Sequence, residues 1–126
     1  SLGEASGEIP YTAYFAKKSY MEKHPNIIQK FTNAIYKGQL WVDSHSPEEI
    51  AQALKPHFPE ADDEILVTVA KRYKEQNSWK KDPILLEDDF KALQKALQDA
   101  GELSQAVPYD QIVTKVFGEE AITKVK

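Results

Sequence analysis

Few residues in this chain have types and spacings that could do chemistry, and each has a plainer role available. His24, His45 and His57 stand at predicted helix boundaries, and none forms a His-Glu-x-x-His pair on one helical face. Helix-end capping is therefore their expected role. Ser6 lies in Gly3-Glu4-Ala5-Ser6-Gly7, one place late for G-x-S-x-G and with no strand before it, so it does not read as a nucleophile elbow. The carboxylate pairs Glu48-Glu49, Asp62-Asp63, Asp88-Asp89 and Glu119-Glu120 fall near predicted helix starts, where negative charge complements the dipole. The chain has no cysteine, which excludes disulfides, a thiol nucleophile and cysteine-ligated metals. No catalytic residue, metal ligand or cofactor is expected.

Binding chemistry is better provided for. Of the larger aromatic residues, Trp41 and Tyr73 fall on helical stripes and read as core, whereas Tyr11, Tyr14 and Trp79 lie off helices and could stack on a flat ligand. Arg72 is the sole arginine, so a bidentate anion clamp has one candidate, placed mid-helix.

The elements that must position these residues are mostly helices. Ile27, Ile28, Phe31, Ala34, Ile35, Gly38, Trp41 and Val42 recur at spacings of one, three and three, one stripe of a 3.6-residue period that is expected to be buried. Pro25 suits the first helical position. Ser46-Pro47-Glu48-Glu49 then joins a serine cap, a proline and a glutamate three residues on, predicting a capping box before Ile50, Ala51 and Leu54. Asp62 or Asp63 should cap a helix with Ile65, Leu66, Val69 and Tyr73 inward, ending near Gln76-Asn77. Leu86, Phe90, Leu93, Leu97 and Ala100 predict another, ended by Gly101. Pro108 should open a helix through Ile112, Val113, Val116 and Phe117, with Gly118 dividing it from a tail carrying Ile122 and Val125. A short helix over 17–23 completes about six, so the chain reads as mainly α. The sole strand candidate is Tyr11-Thr12-Ala13-Tyr14-Phe15-Ala16, and a lone strand needs partners that this chain does not contain.

At 126 residues the chain is one domain's worth and reads as a single unit, 1–126. Hydrophobic and charged fractions of 41% and 29% are globular in character, and no apolar run approaches the ~20 residues that span a bilayer. A net charge of −4 is unfavourable for docking on phosphates, so nucleic acid is not an expected partner.

Several runs together carry a family resemblance: Glu8-Ile9-Pro10-Tyr11-Thr12-Ala13-Tyr14, His24-Pro25, Ala34-Ile35-Tyr36-Lys37 with Trp41-Val42, and His45-Ser46-Pro47-Glu48-Glu49-Ile50-Ala51. Arg72-Tyr73-Lys74, Ser78-Trp79, Ala100-Gly101-Glu102-Leu103 and Val107-Pro108-Tyr109-Asp110 follow in the same order. The pattern resembles the C-terminal third of ABC-transporter substrate-binding proteins of the nitrate, sulfonate, taurine and thiamine-pyrimidine-precursor branch. The resemblance implies a segment of a two-lobed α/β periplasmic-binding fold, with one strand and an outer helical layer. It implies capture of a sulfonate-, nitrate- or taurine-like anion or a pyrimidine precursor, delivery to an ABC permease, and an extracytoplasmic location, periplasmic or lipid-anchored, with the signal segment upstream of Ser1. Residues 3–11 would face the cleft, making Ser6, Gly7, Tyr11, Tyr14 and Trp79 the candidate ligand contacts. Separated from its first lobe, the chain would self-associate, most simply as a two-fold dimer. The alternative reading is a free-standing helical interaction module with an apolar groove for a partner helix.

Overall fold

The computed structural model describes residues 9–125, and these residues form helices and connecting loops with no strand. Seven α-helices are present among them: α1 (Lys18–Lys23), α2 (Pro25–Ser44), α3 (Pro47–Leu54), α4 (Asp63–Glu75), α5 (Glu87–Asp99), α6 (Tyr109–Ile112) and α7 (Val116–Lys124). A 3₁₀ turn, Lys55–His57, follows α3. Two pairings organise the packing, α2 against α7 and α3 against α4.

The mainly α expectation agrees with this architecture, but the strand over Tyr11–Ala16 does not. That segment is extended, exposed and unpaired, with Tyr11 98% and Phe15 97% exposed. An aromatic, β-branched run has the side chains of a strand, but it becomes one only where a neighbouring backbone pairs with it. None is supplied among the described residues.

Local signals place the helix ends well. Pro25 opens α2 at its first turn. The predicted capping box closes in both directions at α3: Ser46 N–H donates to Glu49 Oε2 at 2.8 Å, and Glu49 N–H donates to Ser46 Oγ at 3.2 Å. That backbone donor from Ser46 is the main reason the Glu49 carboxyl titrates below its ordinary range. Asp62 caps α4, accepting from Glu64 N–H at 2.8 Å. At the end of α5, Gly101 takes a φ of +77°. Gly101 N–H reaches Gln98 O and Glu102 N–H reaches Leu97 O, the paired bonds of a Schellman stop.

The α3–α4 pair holds most of the fully buried apolar side chains, Ile50 and Ala51 against Leu66 and Ala70. Lys55 ties the turn between them, donating to Ala61 O at 2.7 Å and pairing with Asp63 at 2.7 Å. Lys74, near the end of α4, ties this pair to the long helix: its ammonium donates to Val42 O at 3.1 Å, Asp43 O at 3.2 Å and His45 O. These carbonyls lie at the C-terminus of α2, where the helix has no N–H to offer them. Nearby, the His45 ring stacks on Trp41 at 4.1 Å, with Nδ1 2.7 Å from Trp41 O. His45 thus serves the helix end.

Ala121 of α7 is fully buried, and Gln29 of α2 donates to Phe117 O at 2.9 Å. Gly118 lies inside α7 rather than dividing a helix from a tail, because a Cβ there would stand 2.6 Å from Ile84 Cδ1 and 3.1 Å from Pro83 O. The loop at Pro83-Ile84 lies on α7 where the helix carries no side chain, and an added methyl would require the Ile84 side chain and the Pro83 carbonyl to give way. The predicted helix from Pro108 stops after Ile112, and Val113 is extended at φ −103°, ψ 132°. The β-branched run Ile112-Val113-Thr114 helps to explain the break, since these residues lose χ1 freedom against the preceding turn.

The expected burial of apolar stripes is only half realised. On α2, Ile28, Ile35 and Val42 are half-buried, while Ile27, Phe31, Ala34, Gly38 and Trp41 face outward. Trp41 is 38% exposed and is therefore not the core residue that its stripe predicts. On α4, Leu66 and Ala70 turn inward and Val67 is half-buried, while Ile65, Val69 and Tyr73 remain exposed. The chain exposes 9765 Å², whereas a compact fold of 14.3 kDa would expose roughly 6,800 Å².

Two substitutions test this packing. Lys74→Met keeps the aliphatic stem but removes the ammonium, and should lower unfolding free energy by about 2 kcal/mol in urea titration. A change below about 0.5 kcal/mol would mean that water satisfies the α2 carbonyls equally well. Gly118→Ala should cost about 1–3 kcal/mol by forcing the Pro83-Ile84 loop off α7, and a neutral or stabilising result would disprove the close approach.

Candidate binding clefts

The more elaborate of two clefts opens between α5 and α6. It measures about 490 Å³ and is lined by Glu87, Phe90, Lys91 and Gln94 of α5, by Ala106, Val107 and Pro108 of the loop, and by Tyr109 and Asp110 of α6. The loop is held in place by one side chain. Gln94, buried in mid-helix, accepts from Val107 N–H at 2.6 Å and donates to Val107 O at 3.0 Å, giving one residue's backbone the pair of bonds that a neighbouring strand would supply.

The aromatic wall follows from that clamp. Pro108 leads the chain directly into α6, and Tyr109 then meets Phe90 edge to face with ring centroids 5.8 Å apart. The Tyr109 hydroxyl donates to Leu85 O. Burial, followed by the negative charges of Glu87 and Glu119, raises the Tyr109 pKa above its ordinary value, so the phenol stays protonated and remains a donor. At the cleft mouth Lys91 pairs with Glu87 at 2.8 Å. Their hydrogen bond lowers the Glu87 pKa and raises that of Lys91, so both stay charged at neutral pH.

With Gln94 and Tyr109 engaged by the protein itself, the cleft offers a ligand the Phe90 and Tyr109 rings, the Lys91 ammonium and the carboxylates of Glu87 and Asp110. That set can stack, and it can pair with charge. It contains no nucleophile placed against a base. Behind it Asp89, almost wholly buried, pairs with Lys80 at 3.0 Å, a structural role beyond the dipole complement expected of Asp88-Asp89.

The second cleft, about 500 Å³, runs along α2 where α7 ends. Lys30, Asn33, Ala34 and Lys37 form one side, with Lys124 and Val125 on the other. Lys124 pairs with Glu120, whereas Lys30 and Lys37 have no ion-pair partner among the described residues. No group of three or more histidine, cysteine or acidic side chains among the described residues is placed to hold a metal ion.

Of the ligand contacts singled out by sequence, Tyr11, Tyr14 and Trp79 line neither cleft. Ser6 and Gly7 fall outside the described residues. Tyr11 projects from the extended segment, and Tyr14, 74% exposed, lies edge-on to Phe31 of α2 at 4.9 Å. Trp79 is half-buried against Tyr73 at the end of α4, with centroids 5.3 Å apart. The three rings thus belong to different surroundings. The sequence places Phe90 only on a helical stripe and gives no role to Gln94, although a glutamine on the inward side of an amphipathic helix is a usable signal, because a buried amide must find partners.

A curated relative gives the comparison with known proteins. This chain is 42% identical over 124 residues to the "Putative binding protein YtlA" of Bacillus subtilis (strain 168), a match covering 98% of this chain and 37% of that protein. The chain therefore spans little more than a third of that relative's length. No family model matches the chain. No solved structure matches it either. The resemblance to the C-terminal third of a two-lobed α/β substrate-binding protein is corrected by these findings. The described residues form a helical unit without a strand, and the similarity found is to the Bacillus protein.

The Gln94 clamp can be tested directly. Gln94→Leu should leave Val107 N–H and C=O unpaired and cost about 2 kcal/mol of stability in thermal or urea unfolding. The variant should also lose amide protection at Val107, and retained protection there would show that the loop stands without the clamp.

Proposed function

We propose that this chain takes part in solute binding without turnover. The observation that supports this reading is the 42% identity, over 98% of the chain, to a protein named as a putative binding protein. The α5–α6 cleft suits such a role, since it offers an aromatic wall and a cation without the elements of a catalytic site.

The finer reading is solute capture for an ABC importer, by an extracytoplasmic protein that hands its ligand to a permease. The candidate solutes are a sulfonate-, nitrate- or taurine-like anion and a pyrimidine precursor. Of these, Phe90 and Tyr109 favour the flat heterocycle, which can stack on a ring, while Lys91 suits an anionic group. A helical interaction module is the second reading, and the specific observation favouring it is the outward apolar stripe of α2.

Calorimetry with taurine, methanesulfonate, nitrate and hydroxymethyl-pyrimidine tests the first reading, using this chain and a longer protein that carries its flanking sequence. Micromolar binding is expected of the longer protein and millimolar or weaker binding of the chain alone. Phe90→Ala in the longer protein should weaken binding by about tenfold or more. Absence of binding to every solute, or an unchanged affinity in the variant, would overturn the assignment of this cleft.

A further inference from the structure

The outward stripe of α2 follows a regular pattern. Ile27, Phe31, Ala34, Gly38 and Trp41 are spaced by four, three, four and three residues, the a/d rhythm of a helix that packs along another helix. Its centre is a notch. Ala34 and Gly38 are small, and a Cβ built at Gly38 meets nothing within 4 Å. The flanking large residues are partly exposed, with Ile27 52%, Phe31 45% beside the edge of Tyr14, and Trp41 38% beside the stacked His45 ring. Along one border, at the position that flanks such a seam, stand Lys30 and Lys37, without ion-pair partners among the described residues.

We propose that this face docks an amphipathic helix whose apolar side enters the Ala34-Gly38 notch and whose flank carries carboxylates opposite Lys30 and Lys37. Charge decides against a second copy of the chain. In an antiparallel self-pair Lys30 and Lys37 would face their own counterparts, and in a parallel pair they would face Ile28 and Ile35, so neither arrangement neutralises them. Shape decides against a lipid surface, which rewards large apolar side chains along a whole stripe rather than a hollow at its middle. The inference rests on α2 and is independent of the solute reading.

The test is fluorescence anisotropy of the chain with two labelled helical peptides of about three heptads, identical at every a and d position, one carrying glutamate and the other lysine at the flanks. The acidic peptide should bind roughly five- to tenfold more tightly at low salt, with the difference narrowing as salt is added. The K30E/K37E double variant should reverse the order. Gly38→Leu, at a position with open space around it, should keep its circular dichroism and lose both peptides. Equal binding of the two peptides, no binding of either, or an unreversed preference in K30E/K37E would overturn the proposal. So would self-association through this stripe in sedimentation, or binding to phosphatidylglycerol vesicles with no response to peptide.

Discussion

The fold depends on how the C-terminus of α2 is satisfied. A twenty-residue helix leaves its last carbonyls without intrahelical donors, and the chain turns there at once into α3. Lys74 places an ammonium among them, donating to Val42 O, Asp43 O and His45 O, so all three of its protons are used. Its charge also sits at the negative end of the α2 dipole. One side chain thereby ties the end of the long helix to the α3–α4 pair.

Polar ties of this kind recur through the rest of the molecule. Where helices meet loops, polar side chains set the geometry: Gln94 on Val107, Tyr109 on Leu85, Gln39 on Asp82, and Lys80 with Asp89. Such contacts are directional and define the cleft walls well, but they bury little hydrocarbon. The apolar residues they leave outside, on α2 and α4, form ordered stripes rather than scattered exceptions. Continuous exposed stripes of this kind mark surfaces that other polypeptide covers.

The two clefts differ in kind. Between α5 and α6 the protein uses its best donors on itself and presents rings and one ion pair, a surface for stacking. Along α2, Lys30 and Lys37 stand beside an apolar seam with no ion-pair partner among the described residues.

Much of the local structure was legible in the sequence. Pro25, the Ser46 to Glu49 box, Asp62 and Gly101 act through the backbone within a few residues, so their effects do not wait on tertiary context. The tertiary structure decided which side of each stripe turned inward. The α2 stripe is broad enough to face two ways, and only the packing of its neighbours, α7 chief among them, selects Ile28, Ile35 and Val42 over Ile27, Phe31 and Trp41. It also decided that Tyr11–Ala16 forms no strand, since pairing is a property of two segments and not of one. Gly118 shows the same limit: in sequence it reads as a break, and its reason appears only when Ile84 is brought to the position its side chain would occupy. The cleft was hidden for a related reason, because Gln94 and Val107 are thirteen residues apart and meet only when the loop folds back on α5.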